Sequence, residues 1–227
     1  MTADGNGGGL ITWEDARDTT FNPNRGTDIY CQWINNQGST LWTANGVAVC
    51  TADNRQRDSI IIPDSAGGAF VSWGDFRSTT NNINAGIDIY FQHLNNSGTP
   101  LWTANGFAIC TLNYNQQREQ IVTDHSNGFI ITWSDNRNST DYDIYVQHVN
   151  GNSSTLWVSD GIDISTVPYN QQLPQMISDG FGGAIITWED YRSNGTSSDI
   201  YAQRIYSDGS VTLPVAIPRT TWDLFDK

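Results

Sequence analysis

The sequence predicts an all-β fold, a β-propeller built from four blades of four antiparallel strands each. Three observations predict it. One segment recurs four times along the 227 residues, each copy divides into four short β-rich runs, and the runs are separated by turn-forming dipeptides. The first landmark of the repeat is Trp-x-Asp-x-Arg, at Trp13, Asp15 and Arg17, then Trp73, Asp75 and Arg77, then Trp133, Asp135 and Arg137, then Trp188, Asp190 and Arg192. The tryptophans are spaced by 60, 60 and 55 residues. A second landmark, Asp-Ile-Tyr-x-Gln, begins at Asp28, Asp88, Asp143 and Asp199. A third, Leu-Trp, stands at Leu41-Trp42, Leu101-Trp102 and Leu156-Trp157, and becomes Thr212-Leu213 in the fourth copy.

The elements follow in order within each copy. In the third, strand-like runs cover Gln120 to Thr123, Gly128 to Trp133, Asp143 to Val149, and Leu156 with the stretch Gly161 to Ile164. Asn-Gly, Asp-Gly and Ser-Gly dipeptides tolerate the positive φ that tight hairpins require. No stretch shows sustained helical periodicity. Two loops carry the extra length of each unit. One is a Gln/Asn-rich link, such as Asn113 to Arg118 or Tyr169 to Leu173. The other follows the arginine and varies between copies: Asp18 to Thr27, Ser78 to Ile87, Asn138 to Tyr142 and Ser193 to Ser198. One domain over 1–227 is expected, with repeats at about 1–52, 53–112, 113–167 and 168–227. The first copy starts at Asp4-Gly5, in register with Asp64, Asp124 and Asp179, and so lacks its opening strand. The tail Arg219 to Lys227 is expected to supply that strand and close the ring, because an open edge invites aggregation.

Composition narrows the function. Net charge is -13, and Lys227 is the sole lysine. Such a surface repels polyanions, which argues against nucleic-acid binding. No apolar run is long enough to span a membrane, and Met1 to Gly5 has neither the basic nor the apolar region of a signal peptide. Cys50 and Cys110 occupy one place in adjacent repeats, too far apart for a disulfide, whose Cα atoms sit within about 7 Å. With Cys31 they read as small buried residues.

The repeated residues admit two readings. Side chains two apart in a strand share a face, so Trp13, Asp15 and Arg17 point one way, as do Asp28, Tyr30 and Gln32 on the next strand. The favoured reading is a scaffold network in each blade, Asp and Arg paired internally and Trp filling the space between blades. The functional reading makes the twelve Trp, Asp and Arg residues of the first landmark a ligand site repeated per blade, Trp stacking on a sugar and Asp and Arg bonding its hydroxyls. Catalysis fits less well, since a reaction centre needs one distinctive constellation rather than four equal ones.

The remaining motifs add little. His93 and His148 share a repeat position with Trp33 and Arg204 and read as surface strand residues; His125 reads as a turn residue. None forms a metal cluster of credible spacing. The pairs Asp15 and Asp18, Asp141 and Asp143, and Asp160 and Asp163 make Ca²⁺ a candidate ligand, though solvated acidic turns account for them. No other cofactor is required. Asn95, Asn138, Asn152 and Asn194 begin glycosylation sequons, relevant only in a glycosylating host. The turns before Trp42, Trp102 and Trp157 are weakly similar to the Asp-box of sialidase-like propellers, but the Asp is absent and no such activity follows.

The run Asp-Gly-x-Gly-Gly-x-Ile-Ile-Thr-Trp-x-Asp-x-Arg, then Asp-Ile-Tyr-x-Gln-Arg-Ile, is most complete over Asp179 to Ile205. It resembles a tandem repeat of large secreted bacterial proteins. That resemblance implies a propeller-like extracellular or cell-surface module of largely unassigned function. The expectation drawn from it is a non-enzymatic module for adhesion, recognition of a glycan or surface protein, or surface assembly, with the variable loops as contact surface. Two alternatives stand beside it: a purely structural, self-associating repeat protein, and a propeller-type glycoside hydrolase or lyase, which a single deep pocket with convergent carboxylates would favour.

Overall fold

The computed structural model describes residues 1–17, 26–64, 66–80 and 86–217. Each copy of the repeat forms one four-stranded antiparallel sheet whose strands lie in sequence order. The first sheet holds β1 (Thr2–Ala3), β2 (Gly9–Asp15), β3 (Asp28–Ile34) and β4 (Val47–Cys50). The second holds β5 (Gln56–Pro63), β6 (Ala69–Asp75), β7 (Asp88–Leu94) and β8 (Phe107–Cys110). The third holds β9 (Gln116–Thr123), β10 (Gly128–Asp135), β11 (Asp143–Asn150) and β12 (Ile162–Ser165). The fourth holds β13 (Gln171–Ser178), β14 (Ala184–Asp190), β15 (Asp199–Ile205) and β16 (Val215–Ile217). A 3₁₀ turn, Arg77–Thr80, follows β6. Among the described residues no helix is long and apolar enough to cross a membrane.

The sheets stack face to face, and the alternation of each strand gives both faces something to bury. Leu10, Ile29, Cys31 and Val49 of the first sheet pack on Ile61, Val71 and Trp73 of the second. Phe70, Ile89 and Phe91 meet Ile131, Trp133 and Val149 in the next seam. Ile130, Ile144 and Val146 meet Met176, Ile186 and Trp188 in the last. Trp73, Trp133 and Trp188 are among the largest fully buried side chains of the molecule. Area removed from water is worth about 25 cal/mol per Å², so these indoles dominate their seams.

Two repeated devices set the geometry. The first joins the turn after each opening strand to the third strand. Asp4, Asp64, Asp124 and Asp179 accept backbone N–H bonds from the second and fourth residues beyond, through Oδ1. Their Oδ2 atoms bond Trp33 Nε1 (2.8 Å), His93 Nε2 (2.7 Å), His148 Nε2 (2.8 Å) and Arg204 Nη2 (2.6 Å). His93 and His148 are therefore buried partners of a turn carboxylate, and the surface reading of them is corrected. His125 is an exposed turn residue with φ 61°.

The second device links neighbouring sheets. Gln32, Gln92 and Gln147 accept the backbone N–H of Trp42, Trp102 and Trp157. So held, the indoles donate forward to carbonyls of the following sheet: Asn96 O (3.1 Å), Gly151 O (3.1 Å) and Ser207 O (3.3 Å). In the fourth sheet Leu213 stands in place of Trp and is exposed.

The chain's two ends differ from expectation. The first sheet has an opening strand, but only its far end, where Thr2 pairs with Leu10 and Ala3 with Gly9. The tail Arg219 to Lys227 lies outside the described residues, and closure of the ring is not shown. Among the described residues the fourth sheet leaves Ile177 63% and Ile185 38% exposed, whereas Phe70 and Ile130, at the place of Ile185, are buried.

Candidate functional site

The four repeated networks are alike in detail. Trp13, Trp73, Trp133 and Trp188 each donate the indole N–H to Oδ2 of the aspartate two residues on, at 2.9, 2.8, 2.8 and 2.8 Å. The arginine two further on binds the same carboxylate, with Nη2 2.5 to 2.6 Å from Oδ2 in every copy. Its guanidinium lies over the tyrosine of Asp-Ile-Tyr, 3.6 to 3.9 Å from the centroids of Tyr30, Tyr90, Tyr145 and Tyr201. Arg77 and Arg137 also reach the sulfurs of Cys50 and Cys110 in the preceding sheet, and Arg192 reaches Ser165 Oγ there. The network thus joins two sheets. The carboxylates of Asp75, Asp135 and Asp190 are fully buried. Hydrogen bonds from Arg192 and Trp188 outweigh burial and hold Asp190 below the usual carboxylate range. The three cysteines are free and buried, and burial pushes the thiols of Cys50 and Cys110 up to about 12. Among the described residues no group of three His, Cys, Asp or Glu side chains could hold a metal ion.

A second constellation lies where the opening strands adjoin. Each of β5, β9 and β13 carries a β-bulge in which two residues oppose one tryptophan: Asp58 and Ser59 opposite Trp73, Arg118 and Glu119 opposite Trp133, Leu173 and Pro174 opposite Trp188. The first residue of each pair is left-handed, with φ 55° at Asp58, 58° at Arg118 and 55° at Leu173. None is glycine, the residue that adopts this conformation freely. Left-handed backbone costs a non-glycine residue roughly 1–2 kcal/mol, and such strain concentrates at functional sites.

The bulges line a cavity of about 460 Å³ whose walls include Arg57, Asp58, Arg118, Glu119, Gln120 and Gln175. Unlike the repeated network, its two bulge residues differ in each of the three sheets, whereas Gln120 and Gln175 occupy one repeat position. Glu119 is the decisive member. It is only 3% exposed, yet its Oε1 has no hydrogen-bond partner. Burial pushes its carboxyl up to about 7, the Asp58 charge adds to the push, and Ser72 and Arg57 oppose it. The corresponding positions hold Ser59, whose Oγ accepts a bond from Thr12 (2.9 Å), and Pro174. Asp58 stands beside Arg57, with Oδ2 3.0 Å from Nε. On the side of the first sheet, Glu14 of β2 reaches the bulge: Oε1 accepts the Asp58 amide (3.2 Å) and Oε2 pairs with Arg55 (3.1 Å).

Sequence reasoning placed Asn113 to Arg118 and Tyr169 to Leu173 in a link. The strands in fact begin at Gln116 and Gln171 and run through the bulge. Gln117, Arg118 and Leu173 were therefore hidden in what read as a connection, and Glu119 fell between that link and the strand expected from Gln120. The one available signal was negative: within well-aligned repeats, the two bulge positions hold Asp-Ser, Arg-Glu and Leu-Pro.

No family model and no characterised sequence matches the chain. Its fold is similar to an α-L-arabinofuranosidase from Lactobacillus brevis, with TM-score 0.54, 12% identity, and 96% of this chain and 75% of that one covered. It is also similar to a thermostable family-43 glycoside hydrolase, with TM-score 0.52, 14% identity, and 94% and 74% covered. At such identities the likeness establishes the fold. This is a β-propeller-type chain. Both neighbours are glycoside hydrolases, and this overturns the expectation of a non-enzymatic adhesion or recognition module and the exclusion of enzyme activity. The physical reason is plain: repetition drew attention to the four equal networks, while Glu119 and Asp58 sit at bulge positions that differ between sheets.

Proposed function

We propose that the protein is a carbohydrate-active enzyme of the propeller type, cleaving a glycosidic bond in the cavity lined by β5, β9 and β13. The observation that carries this reading is Glu119, a buried carboxyl with an unpartnered oxygen and an ionisation near neutrality. A general acid works best when it holds a proton at the operating pH, and raising a glutamate to about 6–7 by burial is how proteins arrange it. In this role Glu119 gives its proton to the leaving glycosidic oxygen as the C–O bond breaks, and a water adds to the anomeric carbon and returns a proton to the Glu119 carboxylate. Asp58, ion-paired with Arg57, faces the positive charge that develops on the sugar ring. Gln120 and Gln175 supply amide donors and acceptors for sugar hydroxyls. The similarity to two glycoside hydrolases supports the reaction class. The Trp, Asp and Arg repeats serve as the frame, since in every copy the indole N–H and the guanidinium both bind the aspartate.

The test is a reducing-sugar release screen over neutral and acidic plant and algal polysaccharides, run with the wild-type chain and Glu119→Gln. Cleavage that falls at least about a hundredfold in the variant, with the fold unchanged by circular dichroism, supports the proposal. Cleavage unaffected by Glu119→Gln, or none on any polymer, overturns it.

A further inference from the structure

The cavity also carries a cation that the acid chemistry does not use. Arg118 lines it from the left-handed position of the β9 bulge. Every other arginine among the described residues has an acidic partner: Arg17, Arg77, Arg137 and Arg192 on the repeated aspartates, Arg55 on Glu14, Arg57 on Asp58 and Arg204 on Asp179. Arg118 alone has no ion pair or hydrogen bond among the described residues.

In a chain of net charge -13 this is anomalous. Carboxylates outnumber cations about two to one, yet this guanidinium is left unpaired in a concave site. Its backbone is left-handed, with φ 58°, at the first position of the bulge. The cavity's own charges point the same way. Asp58 is neutralised by Arg57, and Glu119 is buried in the seam beside Ser72. Arg118 is the surplus. A guanidinium presents a planar fork of N–H donors that matches a carboxylate or a sulfate ester in two parallel hydrogen bonds.

We infer that the cavity selects an acidic saccharide, and that Arg118 receives its anionic group, the carboxylate of a uronate or a sulfate ester. The inference rests on the cavity being the substrate site proposed above. Arg118 is here a specificity determinant. The acidic exterior sharpens the selection, because a polyanion is repelled everywhere except where an unpaired cation waits.

Isothermal titration tests it with four probes: trigalacturonate, its methyl ester, a sulfated galactose trisaccharide and arabinotriose. The wild-type chain is expected to bind trigalacturonate or the sulfated trisaccharide at least tenfold more tightly than the ester and arabinotriose. The preferred probe identifies the source of the anion. Arg118→Gln is expected to remove that preference, and Arg118→Lys to retain part of it. Arg118 is exposed, so both variants should keep the wild-type melting temperature. Equal binding of charged and neutral probes, an unchanged preference in Arg118→Gln, or no binding of an acidic probe overturns the inference. Cleavage separates the two proposals. Neutral oligosaccharides cleaved in a Glu119-dependent way, without Arg118 dependence, leave the enzyme standing and remove the acidic substrate. Arg118-dependent binding without cleavage leaves the anion site standing and removes the enzyme.

Discussion

Trp133 and the pair Arg118–Glu119 face one another across a single bulge, on neighbouring strands of one sheet, and the two sides have opposite histories in the sequence. On the β10 side the same Trp, Asp and Arg recur in all four copies with hydrogen bonds of nearly equal length. On the β9 side the bulge holds Asp-Ser, Arg-Glu and Leu-Pro in three sheets. The repeated side is largely closed upon itself: every indole N–H and every arginine Nη2 meets the aspartate, and Trp73, Trp133 and Trp188 are buried. The divergent side is unfinished, with a bare carboxyl oxygen at Glu119 and an unpaired guanidinium at Arg118. In a molecule made of copies, repetition marks what every seam needs, and departure from repetition marks what is needed once.

The contrast can be broken most decisively at Glu119. Glu119→Gln should lower turnover by about 10²-fold or more while leaving the fold in place, whereas an equal loss in the wild-type-like variant Pro174→Ala would erase the distinction between the sheets. The converse belongs to the frame. Asp135→Ala leaves Arg137 and the Trp133 indole without their buried partner and should cost roughly 3–5 kcal/mol in chemical denaturation. A loss below about 1 kcal/mol would show that the networks are not structural.

A third prediction concerns pH. The Glu119 carboxyl stands at about 7 in the folded chain against an ordinary 4.5, and burial likewise places Asp143 at about 7 and Asp88 at about 6. The folded state therefore binds more protons than the unfolded one above about pH 4, and stability falls as pH rises toward 7. Glu119 alone contributes on the order of 3 kcal/mol to that fall, so Glu119→Gln should flatten the profile of melting temperature between about pH 4.5 and 7. A profile identical to wild type would place the carboxyl in water. The smallest effect is expected at Leu173, whose left-handed backbone has no evident chemistry to justify it. Leu173→Gly should raise stability by about 1 kcal/mol or less, since relief of strain is partly offset by chain entropy, and a clear loss would mean that the leucine side chain holds the cavity wall.

Much of this architecture was legible in the sequence. Landmark spacing set four sheets, and alternation along Asp28 to Gln32 put Tyr30 and Gln32 on one face. Arg17 lies over Tyr30, but Gln32 turns instead to the Trp42 amide, because a buried amide side chain takes the nearest unpaired backbone group. The histidines were misplaced for a similar reason: Asp64 and Asp124 lie 29 and 24 residues away in sequence, and only the hairpin brings them to the ring. The cavity was illegible because a bulge breaks the period of two on which strand recognition depends. A run such as Gln116 to Glu119, polar throughout and out of phase, carries no strand signal even though it belongs to β9, the opening strand of its sheet.

The forward-reaching tryptophans give the stack a direction. Trp42, Trp102 and Trp157 each hold the sheet ahead, so every sheet from the second onward is gripped from behind. The bond from Trp157 is the longest and most exposed of the three, and Leu213 grips nothing by a side-chain N–H. Unravelling under denaturant then has a preferred starting point. The fourth sheet loosens first, its amides exchange with solvent soonest, and the loss travels backward through the third sheet, taking the cavity wall at Leu173 and Gln175 before the wall at Arg57 and Asp58.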